Sequence, residues 1–178
     1  MALCLYAATT SQGKLRDFRT AAEAHALSIE PLPGLKTIPA PEENGLTFAE
    51  NARLKAVYYS RFAADSGLTD SPDANDNTDV WNNIVLLQRL VGVPPCRRTA
   101  RYRCVLAVAR DGQLLHTAEG AVGGLILGAP RGTGGFGYDP LFYLPALDRT
   151  MAEIDLETKH TLSHRGRAIQ ALLPQLGL

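Results

Sequence analysis

The sequence predicts an α/β protein, and three observations carry that prediction. Strand-like and helix-like segments alternate along the chain, the run YRCVLAVA is apolar on both faces of any strand it forms, and a DG pair separates two strand-like stretches. Taken in order, Ala2 to Ala8 is a short apolar run closed by the polar loop TTSQG, which suits a buried first strand. Lys14 to Leu27 reads as a helix with Leu15, Phe18, Ala22 and Ala26 on one face. Residues 28–44 contain four prolines and read as an extended strand followed by an irregular connection. The TFAE stretch then opens a second helix, because the Thr47 hydroxyl can take the third amide while Glu50 reaches back to the first. Phe48, Ala52, Ala56 and Tyr59 line one face of it, leaving Glu50, Asn51 and Lys55 on the others.

A third helix is marked by Val80, Ile84, Leu87 and Val91 and stopped by Gly92 and two prolines. Arg101 to Arg110, the turn Asp111–Gly112 and Gln113 to Gly120 form a β-hairpin, whose first strand belongs in the middle of a sheet. A further strand, Val122 to Leu127, leads into the glycine-rich APRGTGGFGYDP, and Ile169, Leu172, Leu173 and Leu176 define a closing helix that begins near SHR.

At 178 residues the chain is one domain, or two small lobes sharing a sheet, able to bury roughly two-thirds of its extended surface. Its 18 basic and 18 acidic residues cancel, so no global field points to nucleic acid or to an acidic membrane. Cys4, Cys96 and Cys104 are odd in number and lack metal-type spacing, which leads us to expect a reducing cytoplasm. The opening MALCLYAATTSQGK has no basic leader and too short an apolar run for a signal peptide or a membrane span.

Several motif matches fail on physical grounds. GTGGFG satisfies GxGxxG, but a dinucleotide site needs a helix immediately after it, and YDPLFYLP carries two prolines. SQGK matches SxxK without the SDN and KTG partners. DANDNTD spaces oxygen ligands like a calcium loop, yet Thr78 and Ile84 stand where Gly and Glu are required. The arginines of CRRTARYR read as a solvated strand start.

Four dispersed segments remain. ATTSQGK places backbone amides, a helix N-terminus and Lys14 where they could face an anion. PEENGLTFAENARLKA puts Glu42 and Glu43 just before a capped helix, and carboxylates near a phosphate site suit Mg2+. GGFGYDPLFY offers Phe136 and Tyr138 for stacking with Asp139 as an acceptor, and KHTLSHRGRA supplies the donors Lys159, His164 and Arg165. Together they resemble the Ham1-type inosine triphosphate pyrophosphatase family, on T9TSQGK14, E42ENGLTFAENARLKA56, G135FGYDPLF142 and K159HTLSHRGRA168 in the family's order.

The resemblance implies an elongated α/β fold in which a long twisted mixed sheet carries helices forming two lobes around a central nucleotide cleft, all within a single domain 1–178. It implies Mg2+-dependent hydrolysis of ITP, dITP or XTP to the monophosphate and pyrophosphate by a cytoplasmic homodimer that binds neither nucleic acid nor membrane. Thr9, Thr10, Ser11, Gln12, Gly13 and Lys14 would hold the triphosphate, and Ser66 would join the substrate contacts. Phe136, Gly137, Tyr138 and Asp139 would form the base pocket, completed by Lys159, His164 and Arg165. Glu42 and Asp65 would bind the metal, with Asp65 also the catalytic base.

The chain departs from the family at its ADDSGL motif. In one register A64DSGL68 is that motif with Ala64 in place of its first aspartate. In the other, the true motif lies in a deleted block and residues 63–79 are a polar loop at the deletion. The Asp, Asn, Ser and Pro content favours the loop, and with it a nucleotide-binding relative of impaired turnover.

Overall fold

The computed structural model describes residues 3–23, 25–63, 67–69 and 79–178. In chain order the elements are β1 (Leu3–Ala7), α1 (Gln12–Ala22), β2 (Leu27–Pro31), α2 (Phe48–Ser60), β3 (Gly67–Thr69), α3 (Asp79–Arg89), β4 (Thr99–Arg110), β5 (Gln113–Ile126), β6 (Phe142–Leu144), β7 (Arg149–Thr150), α4 (Leu156–Leu162) and α5 (His164–Leu172). The strands form one sheet in the order β2-β1-β3-β4-β5-β6-β7. It is mixed, as predicted: β1 runs parallel to β2 and β3, while β3–β4, β5–β6 and β6–β7 are antiparallel. The chain falls into two compact units, Met1–Asp73 with Arg103–Ala121 and His160–Leu178, and Ala74–Tyr102 with Val122–Lys159.

The first unit is built on β1 and β4. Leu15, Phe18, Ala21 and Ala22 of α1 bury against Leu5, Ala7 and Ile29, joined by Ala168, Ile169 and Leu172 of α5. Alternation along β4 divides its side chains: Cys104, Leu106 and Val108 enter this core, whereas Val105, Ala107 and Ala109 pack with Ala52 and Ala56 of α2. A strand buried on both faces belongs inside a sheet, where the topology places β4. The capping box of α2 is complete, with the Thr47 hydroxyl accepting from the Glu50 amide at 3.1 Å and the Glu50 carboxylate accepting from the Thr47 amide at 3.0 Å. Its far end is tied down by Ser60, fully buried, whose hydroxyl donates to Val57 O and accepts from the Gly112 amide at 2.9 Å. Asp111 and Gly112 both take positive φ, 50° and 78°, as a two-residue hairpin turn that follows strand twist requires.

The second unit has its own core of Val122, Ile126, Leu141, Phe142, Leu144 and Met151, against which Leu86, Leu87, Leu90 and Tyr102 pack. The Tyr102 and Phe142 rings stack at a centroid distance of 4.1 Å.

Several expectations are corrected. Helix α1 ends at Ala22, so Ala26 is exposed in the turn before β2. The stretches read as separate strands on either side of Ala121 are one 14-residue strand, β5, because neither Gly120 nor Ala121 breaks the extended backbone. Val80, Ile84 and Val91 are exposed, and α3 instead turns Leu86, Leu87 and Leu90 inward. Lys55, on another face of α2 than the apolar stripe, is nonetheless buried and lies 2.9 Å from the Glu43 carboxylate. The closing helix ends at Leu172 and continues as a 3-10 turn, Leu173–Leu176. Helix α4 and strands β6 and β7 were not anticipated. Within 63–79, Gly67–Thr69 is not loop but β3, set between β1 and β4; Asp65, Ser66 and residues 70–78 lie outside the described residues.

Ser60→Ala leaves the Gly112 amide without its buried acceptor, and a loss of about 1–3 kcal/mol in urea-induced unfolding is expected. A stability change near zero would show that water replaces the hydroxyl.

Candidate active site

In the second unit a buried ion pair organises the GGFGYDP segment. Lys159 on α4 and Asp139 are each 5% exposed, and Nζ lies 2.5 Å from Oδ2. The same carboxylate accepts from the Phe136 amide at 3.0 Å and from the Tyr102 hydroxyl at 3.4 Å. Three donors thus satisfy one buried carboxylate. Two glycines permit the geometry. A Cβ on Gly135, at φ 73°, would stand 2.1 Å from Asp139 Oδ2 and 2.9 Å from Lys159 Nζ, so only a bare backbone passes there. Gly137 has φ 63° and a free approach on its Cβ side, so it is required for its conformation and not for space. The glycines of GTGGFG thus serve a loop around an ion pair, which accounts for a GxGxxG match with no helix behind it.

Phe136 is half-buried, and Lys159 Nζ sits 5.4 Å from its ring centroid. The stem of the loop is braced on β7: Glu153 receives Arg131 at 2.8 Å and the Thr150 amide at 2.8 Å, and the Thr150 hydroxyl donates to Arg131 O at 2.7 Å. The Thr150 amide, with Arg131 beside it, holds the Glu153 carboxyl below its usual range. Asp155 heads the helix that carries Lys159, accepting from the Thr158 amide at 2.7 Å and the Thr158 hydroxyl at 2.8 Å. Those two bonds, the amide first, hold its carboxyl below its usual range too.

In the first unit the Thr9–Lys14 loop joins β1 to α1. Ser11 is the N-cap, its hydroxyl accepting from the Lys14 amide at 3.4 Å, and its own amide donates to the Thr9 hydroxyl at 3.3 Å. Thr9, Ser11 and Lys14 are buried, whereas Thr10 and Gln12 are exposed. Thr9, Thr10 and Gln12 line a pocket of about 310 Å3 with Leu32, Leu35 and Lys36. Hydroxyls, first-turn amides and a lysine make this a chemically suitable place for an anion.

His164 and Arg165 begin α5, with Ser163 as N-cap accepting from the Gly166 amide at 3.1 Å. Arg165 Nη1 lies 3.2 Å from the buried Asp17 carboxylate of α1, one turn beyond Lys14. The structure therefore places Lys159 in the second unit and His164 and Arg165 in the first, although the sequence brings them within a few residues. Glu42 is exposed. Among the described residues no three His, Cys, Asp or Glu side chains gather as a metal cage. Asp65 and Ser66 lie outside the described residues.

Asp17 and Tyr102 escaped sequence reasoning. Asp17 could have been found from its spacing of one turn from Lys14; Tyr102 partners Asp139 from a distant strand, and nothing local marks it.

The fold and its two polar clusters define a mixed α/β protein with a hydroxyl-rich strand-to-helix loop in one unit and an aromatic loop seated on a buried ion pair in the other. The chain belongs to the Ham1 family, whose profile matches residues 5–175. It is 54% identical to a dITP/XTP pyrophosphatase of Acidobacterium capsulatum over an alignment of 203 positions that covers 99% of each chain. It is 39% identical to a dITP/XTP pyrophosphatase of Desulforamulus reducens, covering 93% of this chain and 92% of that one. Among solved structures, a Ham1 protein of Coxiella burnetii superposes with a TM-score of 0.80 at 28% identity, covering 98% of both chains, and one of Staphylococcus aureus with 0.79 at 29%, covering 98% of both.

Lys159→Met strands the Asp139 carboxylate in the interior, and a loss of about 3–5 kcal/mol is expected in chemical unfolding. An effect below about 1 kcal/mol, the range of exposed pairs, would contradict the buried pair. The depressed Glu153 and Asp155 carboxyls give stability that is present above the ordinary carboxylate pKa and lost as pH falls through their lower folded values. Melting temperature measured down the acid limb should accordingly fall less steeply in Asp155→Asn than in the unmodified chain; parallel curves would remove Asp155 from the acid response.

Proposed function

We propose that this chain hydrolyses noncanonical purine nucleoside triphosphates, ITP, dITP and XTP, to the monophosphate and pyrophosphate. The observation that carries the reading is the loop Phe136–Asp139 held on the buried Lys159, in a chain 54% identical to a dITP/XTP pyrophosphatase along nearly its whole length. Phe136 supplies a face for the purine. Hypoxanthine and xanthine carry a keto oxygen where adenine has an amino donor, so a pocket of donors favours them over adenine. Phosphoryl transfer asks mainly for positioning and charge neutralisation, and the residues Thr9 to Lys14 offer both through hydroxyls, amides and an ammonium. Arg165, oriented by Asp17, and His164 complete the substrate contacts in this reading.

Magnesium fits the donor chemistry. The ion commonly takes one or two carboxylates together with substrate phosphates and keeps several waters, so no closed protein cage is needed. Glu42 presents an exposed carboxylate ahead of α2, whereas that of Glu43 is engaged by Lys55, and Asp65 is the second proposed ligand. When bound, Mg2+ would neutralise phosphate charge and orient the attacking water. We place Asp65 as the base for that water. A homodimer acting in the cytoplasm belongs to the same proposal.

A second reading, a nucleotide-binding relative without turnover, is favoured by the contraction of the chain. The alignment to the Acidobacterium capsulatum protein runs over 203 residues against 178 here, so that relative has positions without a counterpart.

Pyrophosphate release with ITP and Mg2+, beside GTP and ATP, separates the two. Release with ITP well above both controls is expected, and ITP binding without release would establish the second reading. Asp65→Asn should lower turnover at least about a hundredfold, in the range lost with a general base. An unchanged rate would take Asp65 out of the mechanism.

A further inference from the structure

Helix α3 turns inward a stripe of Asp79, Asn83, Leu86 and Leu87, at the spacing of one helical face, and Leu90 just past its end continues it. The three leucines join the second core, but the stripe begins with two polar residues, and both end on Gly137. The Asp79 carboxylate accepts from the Gly137 amide at 2.6 Å, and Asn83 Nδ2 donates to Gly137 O at 3.0 Å. One residue is thereby held through the two peptide units that flank its Cα, by partners more than fifty positions away in the chain. The acceptor is charged and the bond short, which makes it the stronger of the two. Gly137 stands between Phe136 and Tyr138 in the left-handed region, which glycine enters without steric cost but does not by itself select, so the two bonds to α3 choose it.

Asn83 Oδ1 is buried and accepts no hydrogen bond among the described residues. The donation to Gly137 O fixes which end of the amide is oxygen, so this acceptor is a feature of the clamp.

The geometry points to Asp79 and Asn83 as positioning residues of the purine-reading loop, fixing Gly137 so that the neighbouring Phe136 presents its ring face to the base in one orientation. This rests on the nucleotide reading above. It gives the start of α3, within the aspartate-rich stretch, a part in choosing the substrate. Neither residue touches phosphate or water in this account, so the clamp governs affinity and base selectivity and leaves the chemical step alone.

The test combines two readouts on the full chain. With ITP as the probe, Asp79→Ala and Asn83→Ala should each raise KM and the calorimetric Kd by about tenfold or more, the order of loss that a small misplacement brings, with kcat within about threefold. Discrimination between ITP and GTP should shrink. Asp79→Asn, whose amide oxygen still accepts from Gly137, should recover most of the affinity. Hydrogen exchange at the Gly137 amide should accelerate in Asp79→Ala while the β4 amides stay protected. Unchanged Kd with faster exchange would overturn the link to the base, and unchanged exchange would overturn the clamp itself. If the unmodified chain takes no ITP, the nucleotide reading fails, while the exchange result still decides the clamp.

Discussion

A strand buried on both faces cannot slip, and β4 is that strand here. Cys104, Leu106 and Val108 pack toward α1 and α5, and Val105, Ala107 and Ala109 pack toward α2. A shift of one residue would exchange the two sets and put Leu106 against Ala52 and Ala56, where the strand now presents nothing larger than Val105. The register is therefore fixed from two directions, and β3 is paired onto it from Gly67 to Thr69. Because Ser60 ties the end of α2 to the Asp111–Gly112 turn, the helix that follows the Glu42–Glu43 segment inherits the same register.

Two buried ion pairs then do comparable work in the two units. Lys159 with Asp139 orders an aromatic loop, and Arg165 with Asp17 fixes the start of α5 on the helix that follows the Thr9–Lys14 loop. Neither is a strong source of stability, since the desolvation of both charges offsets most of their attraction. What they provide is orientation: each sets a cationic side chain in one place against a carboxylate. That is the property a site for a charged, planar ligand needs, and it explains why glycine is required at position 135, where any side chain would collide with the pair.

The parts of this molecule governed by local pattern were legible in the sequence. The capping box at Thr47, the DG turn and the doubly apolar β4 each follow from residues within a few positions of one another. What could not be read depends on partners far apart in the chain. Tyr102 meets Asp139 across 37 positions, and Asp79 meets Gly137 across 58, with nothing in either neighbourhood to announce it. The apolar face of α3 was misread because Val80 and Ile84 mimic a core stripe, while the true stripe opens on Asp79 and Asn83 and so looks polar. Likewise nothing near Lys55 in the sequence announces its burial, which Glu43 accompanies with an ion pair. The family motifs located the candidate site residues, but not the division of His164 and Arg165 from Lys159 between two units.

The central claim is that water attacks the α-phosphorus of a keto-purine triphosphate, and isotope labelling addresses that bond directly. Hydrolysis of ITP in water enriched in oxygen-18, followed by mass spectrometry, should place the label in the monophosphate and leave the pyrophosphate unlabelled. Label in pyrophosphate would mean attack at the β-phosphorus, and label in free phosphate would mean attack at the γ-phosphorus; either would contradict the account.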